Sequence, residues 1–247
     1  MTPHSDASPD LKSDPARGPV RPIVFLHIPK TAGTTLKSVL EQAYAGYEIV
    51  FLRNFGGEIE AFARRPAAER AKYALATAHI PWGGQSLIPK ARPLTMLRDP
   101  VERFLSVYYY NARAPEALHH KAISEGGLSL ADVVERGLLA GEYNLMTAML
   151  RHPKAEGGRQ AFESAKQNLA QCVFGLSERF EDSVGLFRRA LRWPEVAWES
   201  RNVSVGRPKS EQIDPALLDR IRRETELDRA LYEFGAGLFE SRLKEGR

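Results

Sequence analysis

A lysine, a glycine and three threonines fall within the segment His27-Ile28-Pro29-Lys30-Thr31-Ala32-Gly33-Thr34-Thr35. The first N–H groups of a helix and the positive end of its dipole favour a phosphate. Gly33 permits close backbone approach and Lys30 adds a full charge, so the segment reads as an anion cradle. It is not the G-x-x-x-x-G-K-[ST] loop of nucleoside triphosphatases, because Lys30 precedes Gly33 and no first glycine exists, which disfavours a triphosphate with Mg²⁺. The bland alternative is a helix start with a surface lysine. A second candidate is Thr95-Met96-Leu97-Arg98-Asp99-Pro100-Val101-Glu102-Arg103-Phe104-Leu105-Ser106. The Arg98 guanidinium and the Ser106 hydroxyl, on the polar side of a helix, could grip a second phosphate. Asp99 reads as a helix cap rather than a catalyst, and Arg103 as a solvated side chain paired with Asp99 or Glu102. Between the two segments lies His79, whose residue type suits general-base work, although a lone histidine at a strand end is more often structural.

These residues need a scaffold that brings strand ends together. The β-branched run Ile23–Ile28 predicts a buried strand. Leu36, Val39, Leu40 and Ala43 have the spacing of an amphipathic helix starting at Thr34 or Thr35. Further strands are expected at Tyr47–Leu52, Tyr73–Ala78, Leu94–Leu97 and Cys172–Leu176. A helix interrupted near Pro66 is expected over 58–72. Asp99, Pro100 and Glu102 predict a helix start at 100, and a terminal helix is expected from about Asp214 with a break near Thr225. Strands alternating with helices imply an α/β fold: a three-layer α/β/α arrangement with a central, mainly parallel sheet and a helical C-terminal half. Ligands in such sheets sit beyond the carboxyl ends of the strands.

Composition bounds the reading. The chain has 247 residues, 43% hydrophobic and 27% charged, which suits one globular domain and excludes fibrous or wholly disordered classes. Residues 1–21, rich in Pro, Ser and Asp, are expected to form a disordered leader, with a single domain over 22–247. Cys172 is the only cysteine, so no intramolecular disulfide or Cys-cluster metal site is available. No apolar run approaches the length of a membrane span, and the N-terminus lacks the layout of a secretion signal, so a cytoplasmic location is expected. The net charge of +4 arises from 35 Lys+Arg against 31 Asp+Glu. These charges are mixed throughout rather than gathered into a basic stripe with aromatics, which argues against a nucleic-acid partner.

HIPKTAGTT resembles the 5′-phosphosulfate loop, H/R-x-P-K-T-x-G/S-T-S/T, of the sulfotransferase superfamily, in particular its carbohydrate 2-O-sulfotransferase branch. The pattern R-D-P-x-x-R-x-x-S-x-Y is similar to that superfamily's 3′-phosphate motif, with the same spacing from Arg98 to Ser106. The segment from His79 to Trp82 resembles the branch's H-x-x-[FW] element. Weaker matches are Asn144 to Thr147 (N-x-x-T), Gly175 to Phe180 (G-L-x-E-R-F), and Asn202-Val203-Ser204 with Asp228-x-x-Leu231-Tyr232. The bland reading of these last is packing. Animal carbohydrate enzymes of this kind are usually membrane-anchored in an oxidising lumen. With one cysteine and no spanning segment, a soluble, bacterial-type member acting on a sugar or glycolipid is expected here.

The resemblance implies transfer of a sulfuryl group from 3′-phosphoadenosine 5′-phosphosulfate to a hydroxyl, leaving adenosine 3′,5′-bisphosphate, with no metal required. It implies Lys30 and His79 as catalytic residues, His79 being the base. Donor binding would fall to Lys30, Thr31, Gly33, Thr34 and Thr35 around the 5′ end and to Arg98 and Ser106 around the 3′-phosphate. His27 suits a donor-side role, and Arg207 and Lys209 are further candidate donor contacts. Trp82, Tyr108, Tyr109 and Tyr110 are candidates to line a sugar cleft or, as aromatics more often do, to fill the core. The rival reading is a P-loop-type kinase of a small metabolite using ATP. The misplaced lysine and the absence of a carboxylate suited to hold Mg²⁺ at a strand end speak against it.

Overall fold

The structure is a computed structural model and describes residues 18–53, 56–198 and 213–245. Its first unit is strand β1 (Ile23–Leu26), helix α1 (Gly33–Ala43) and strand β2 (Ile49–Phe51). The short helices α2 (Glu58–Ala63) and α3 (Ala67–Arg70), split at Pro66, lead to β3 (Leu75–Ala78). β4 (Arg92–Leu97) is followed by α4 (Pro100–Arg113), α5 (Leu130–Glu135), α6 (Leu145–Leu150) and α7 (Gly158–Gln171). β5 (Val173–Leu176) feeds α8 (Phe180–Leu191), and α9 (Pro215–Glu224) and α10 (Glu226–Glu245) meet at Thr225.

All five strands pair in parallel in the order β2-β3-β1-β4-β5. Every residue of β1, β3 and β5 is buried, because both faces of the sheet are covered and a strand there must be apolar on both sides. Along β1 the pleat sends alternate residues to opposite layers. Ile23 and Phe25 join Leu36, Val39 and Leu40 of α1 in the larger core, whereas Val24 and Leu26 join Phe62, Leu87 and Ile88 in a smaller one. A third apolar cluster joins Phe104 and Leu105 of α4 to Val133 of α5 and Ile221 of α9. Pro93 is tolerated inside β4 because pairing with β5 begins only at Leu94, so its missing N–H removes nothing from that ladder.

The expected α/β/α fold is the observed one; β1, β2, β3 and β5 are one to three residues shorter than expected, and β4 begins two residues earlier, at Arg92. Gly18 to Arg21, inside the span expected to be a leader, are tied to the sheet domain: the Val20 N–H donates to the Leu191 carbonyl at 2.8 Å. Arg21 lies over the Tyr47 ring at 4.4 Å. Among the described residues no helix is long and apolar enough to cross a membrane.

The topology places the site. After β1 the chain runs to the β2 edge of the sheet, and after β4 it runs to the β5 edge. Neighbours whose connections leave in opposite directions open a crevice at their carboxyl ends, and that crevice lies between the two anion segments.

Candidate functional site

β1 and β4 pair as far as Phe25↔Leu94. One step further the Thr95 hydroxyl donates to the Leu26 carbonyl at 2.9 Å in place of a ladder bond. On the other side the β1–β3 ladder continues, the His27 N–H donating to the Ala78 carbonyl at 3.0 Å. The turns after β1, β3 and β4 are therefore held at one edge.

In the first turn Lys30 and Ala32 are left-handed, with φ of 67° and 64°. For residues carrying a Cβ this costs of order 1–3 kcal/mol each, and such strain concentrates at ligand sites. Ala32 starts α1 without a side-chain cap, and no acid stands in the first turn. α4 is different: the Asp99 carboxylate accepts from the Glu102 N–H at 2.9 Å, with Pro100 at its start, as the sequence predicts. The positive end of α1 thus meets the crevice with no carboxylate of its own, which fits an external anion. Thr34 is exposed and Thr35 buried. Thr31 is fully buried and its hydroxyl donates to the Ile28 carbonyl at 2.8 Å, so its side chain ties the turn and only its backbone can serve a ligand.

Lys30 is half-buried, its ammonium 4.0 Å from the centre of the Tyr110 ring. Burial, with the guanidiniums of Arg98 and Arg113, holds its pKa below the ordinary lysine value, while Glu142 opposes them. Arg98 crosses the crevice: its Nη1 donates to the Lys30 carbonyl at 3.1 Å. The carboxylates of Glu102 and Glu178 stand 3.9 Å from the same guanidinium. Glu178 also accepts from the Asp99 N–H at 3.0 Å and the Tyr232 hydroxyl at 2.9 Å. Ser106 lies further along α4 and is 8% exposed.

His79 follows β3 and is exposed. Its Nδ1 is 2.7 Å from the His27 carbonyl. A carbonyl can only accept, so Nδ1 carries the hydrogen and the neutral ring keeps its lone pair on Nε2. The rings of His27 and His79 stack with centroids 4.1 Å apart. His27 itself is held neutral: burial first, then the neighbouring His79, Lys30 and Lys37, lower its pKa to about 3.

The structure thus brings Lys30, Arg98, the start of α1 and His79 to one edge. Gly33 has a further reason to be glycine: a methyl group at residue 33 would overlap the His27 ring. Arg103 is not solvated but 1% exposed, bonded through Nη1 to Glu142 at 3.0 Å and through Nη2 to the Glu142 carbonyl. Tyr108 and Tyr109 pack against the α4 core and Trp82 bridges two cores, leaving Tyr110 as the aromatic at the crevice. Glu142 and Glu178 were missed as neighbours of the two cations. Glu178 had a signal, its place in the G-L-x-E-R-F element, whereas Glu142 had none. Arg207, Lys209 and Asn202 to Ser204 lie outside the described residues.

A cavity of about 250 Å³ lies at the opposite end of the sheet, between Arg92, Cys172, Val173 and Arg242, and contains none of these groups. There Arg242 donates to the carbonyls of Ala170 and Cys172 and closes the end of α7. Among the described residues no group of three or more His, Cys, Asp or Glu side chains is arranged to hold a metal ion.

A family model described as "Sulfotransferase family" matches residues 17–173. The chain is 26% identical over 272 residues to the human protein named galactose-3-O-sulfotransferase 3, covering 97% of this chain and 61% of that one. It is 26% identical over 255 residues to the bovine protein of the same name, covering 91% of this chain and 58% of that one. It thus spans about three fifths of these relatives. A solved sulfotransferase from Alicyclobacillus acidocaldarius matches with 17% identity and a TM-score of 0.49, covering 87% of this chain and 95% of that one.

Proposed function

The chain belongs to the sulfotransferase family, and from that premise we propose that it moves a sulfuryl group from 3′-phosphoadenosine 5′-phosphosulfate to a carbohydrate or glycolipid hydroxyl. One observation carries the reading: Arg98 on the β4 turn donates to the Lys30 carbonyl on the β1 turn, so two anion-binding turns face each other across one crevice. A donor with phosphates on both the 3′ and the 5′ positions of one ribose needs two such turns at a fixed separation. A strained, uncapped helix start with a half-buried lysine fits the 5′ end. An arginine with a serine further along α4 fits the 3′-phosphate.

In the proposed step the acceptor O–H gives its proton to His79 Nε2 as its oxygen bonds the sulfur, and the bond from sulfur to the bridging phosphate oxygen breaks. Lys30 and the N–H groups at the start of α1 stabilise charge gathering on that oxygen. Holding the reactants in line supplies the rest, as in phosphoryl transfer. No step calls for a metal ion. The names of the mammalian relatives make a galactose hydroxyl the first acceptor to try. The lone buried cysteine fits a reducing compartment, and we assign the protein to the cytoplasm.

Calorimetry with adenosine 3′,5′-bisphosphate, ADP and ATP with Mg²⁺ tests the donor. Selective binding of the bisphosphate, weakened about tenfold or more by Arg98→Ala, is expected from the loss of a charge-assisted pair. Selective binding of ATP would replace this reading with the kinase. His79→Ala is expected to lower turnover by about two orders of magnitude, and unchanged turnover would remove the base.

A further inference from the structure

His27 opens the 5′-phosphosulfate loop motif, yet, held neutral by burial, it is no cation for a donor. Its place explains it better. The ring is layered between Phe25, 5.0 Å away and inclined by 16°, and His79, 4.1 Å away and inclined by 30°. Its edge fills the space over Gly33, where any side chain would collide with it. Its N–H holds Ala78, the residue before His79, and its carbonyl holds His79 Nδ1 at 2.7 Å. One residue therefore touches both the first position of α1 and the ring assigned as base.

We infer that His27 is a positioning residue that couples the donor turn to His79: its ring wedges between the Gly33 backbone and the His79 ring. Occupation of the turn thereby sets where Nε2 stands. The chemistry needs such a device, because the base must meet the acceptor hydroxyl on the line running from sulfur to the leaving oxygen. A displacement of about 1 Å in such an arrangement can lower a rate a hundredfold. Backbone carbonyl and ring have separate duties. The carbonyl fixes the tautomer in any variant, whereas the ring alone transmits position, and a flat ring of similar size can replace it. Neutrality is part of the design: burial first, and then the nearby His79, Lys30 and Lys37, disfavour a charged imidazole here.

The inference rests on the proposed donor and base, and its test separates them. In the full-length chain, ¹⁵N NMR of the His79 ring is recorded with and without adenosine 3′,5′-bisphosphate for wild type, His27→Phe and His27→Ala. Turnover and calorimetry are measured alongside. We expect the bisphosphate to shift the His79 ring signals in wild type and His27→Phe but not in His27→Ala. His27→Ala should bind the bisphosphate within about threefold of wild type yet turn over about tenfold or more slowly, with His27→Phe restoring most of the rate. A purely structural role would lower both variants together or weaken binding and turnover alike. Equal shifts in all three proteins with His79→Ala inactive would overturn the coupling and spare the base. Shifts that depend on residue 27 with His79→Ala fully active would sustain the coupling and remove the base. A wild-type protein that binds no bisphosphate overturns both.

Discussion

Two polar constellations grow from the same helix and end in opposite states. At the start of α4, Arg98 reaches a backbone carbonyl across the crevice, and beyond it Lys30 and His79 each sit at least partly in solvent. One turn into α4, Arg103 is sealed against Glu142. Beside it Asp228, fully buried, accepts from the N–H groups of Met146 at 3.1 Å and Thr147 at 2.7 Å. Asn144, left-handed at φ 53°, accepts from the Asp228 N–H at 3.0 Å and donates to the Glu224 carbonyl at 2.8 Å. Asp228 thus caps the start of α6 while Asn144 caps the start of α10. The interior set pairs its charges and backbone groups with one another, leaving Arg103 Nε without a hydrogen-bond partner, whereas in the crevice set Arg98 and His79 are each oriented on a backbone carbonyl. Both sets match family motifs, so a motif match does not by itself separate binding residues from fastenings.

Exchanging the damage sharpens that contrast. Asp228→Ala strands two buried N–H donors and removes the carboxylate facing Arg103, which should lower stability by about 3 kcal/mol or more in urea unfolding. Burial pushes the Asp228 pKa up, while Arg103 and the Thr147 and Met146 groups pull it back. Lys30→Ala should do the reverse: turnover falls about a hundredfold, equivalent to about 2.7 kcal/mol in the barrier, with the melting temperature within about 2 °C of wild type. A Lys30→Ala protein that melts much earlier would make that lysine part of the fastening, and the contrast would collapse.

The next effect is smaller and is read through pH. His27 has a folded-state pKa of about 3 against an ordinary 6.5, so between those values the unfolded chain binds the proton that the folded one refuses. Stability from this residue is whole above about pH 6.5 and falls by about 1.4 kcal/mol for each pH unit below it until about pH 3. His27→Phe should flatten that slope in urea unfolding followed from pH 7 to 4. An unchanged slope would mean that the His27 ring is wetter than its packing against Phe25 and Gly33 implies.

The fold was readable from the sequence where one-dimensional pattern decides the outcome. The apolar run at Ile23, the stripe through Leu36 and Leu40, the Asp99-Pro100 start and the break at Thr225 all depend on neighbours in sequence. The order of strands does not, and it is the order that sets the β4 turn beside the β1 turn. Thr34, Thr35, Lys30 and Arg98 could be singled out by type and spacing. The left-handed turns at Lys30 and Ala32 could not, because neither residue type prefers that backbone. Nor could the sealing of Arg103, whose partner Glu142 lies 39 positions away. Nor could the His27 ring that fills the space over Gly33, because it comes from the end of the preceding strand.

The smallest expected effect probes the boundary between the two constellations. Asp99 stands one residue from Arg98, yet its carboxylate bonds the Glu102 N–H and its own N–H bonds Glu178, so it belongs to the fastenings. Asp99→Ala should therefore remove about 1 kcal/mol of stability, the usual worth of a helix cap. Donor affinity should fall by much less than with Arg98→Ala, since the Arg98 bond to the Lys30 carbonyl does not pass through residue 99. Paired measurements of unfolding and of adenosine 3′,5′-bisphosphate binding on the two variants decide it. Were Asp99→Ala to weaken the bisphosphate as strongly as Arg98→Ala while leaving stability intact, the boundary drawn through α4 would have to move past its cap, and the start of that helix would belong to the crevice.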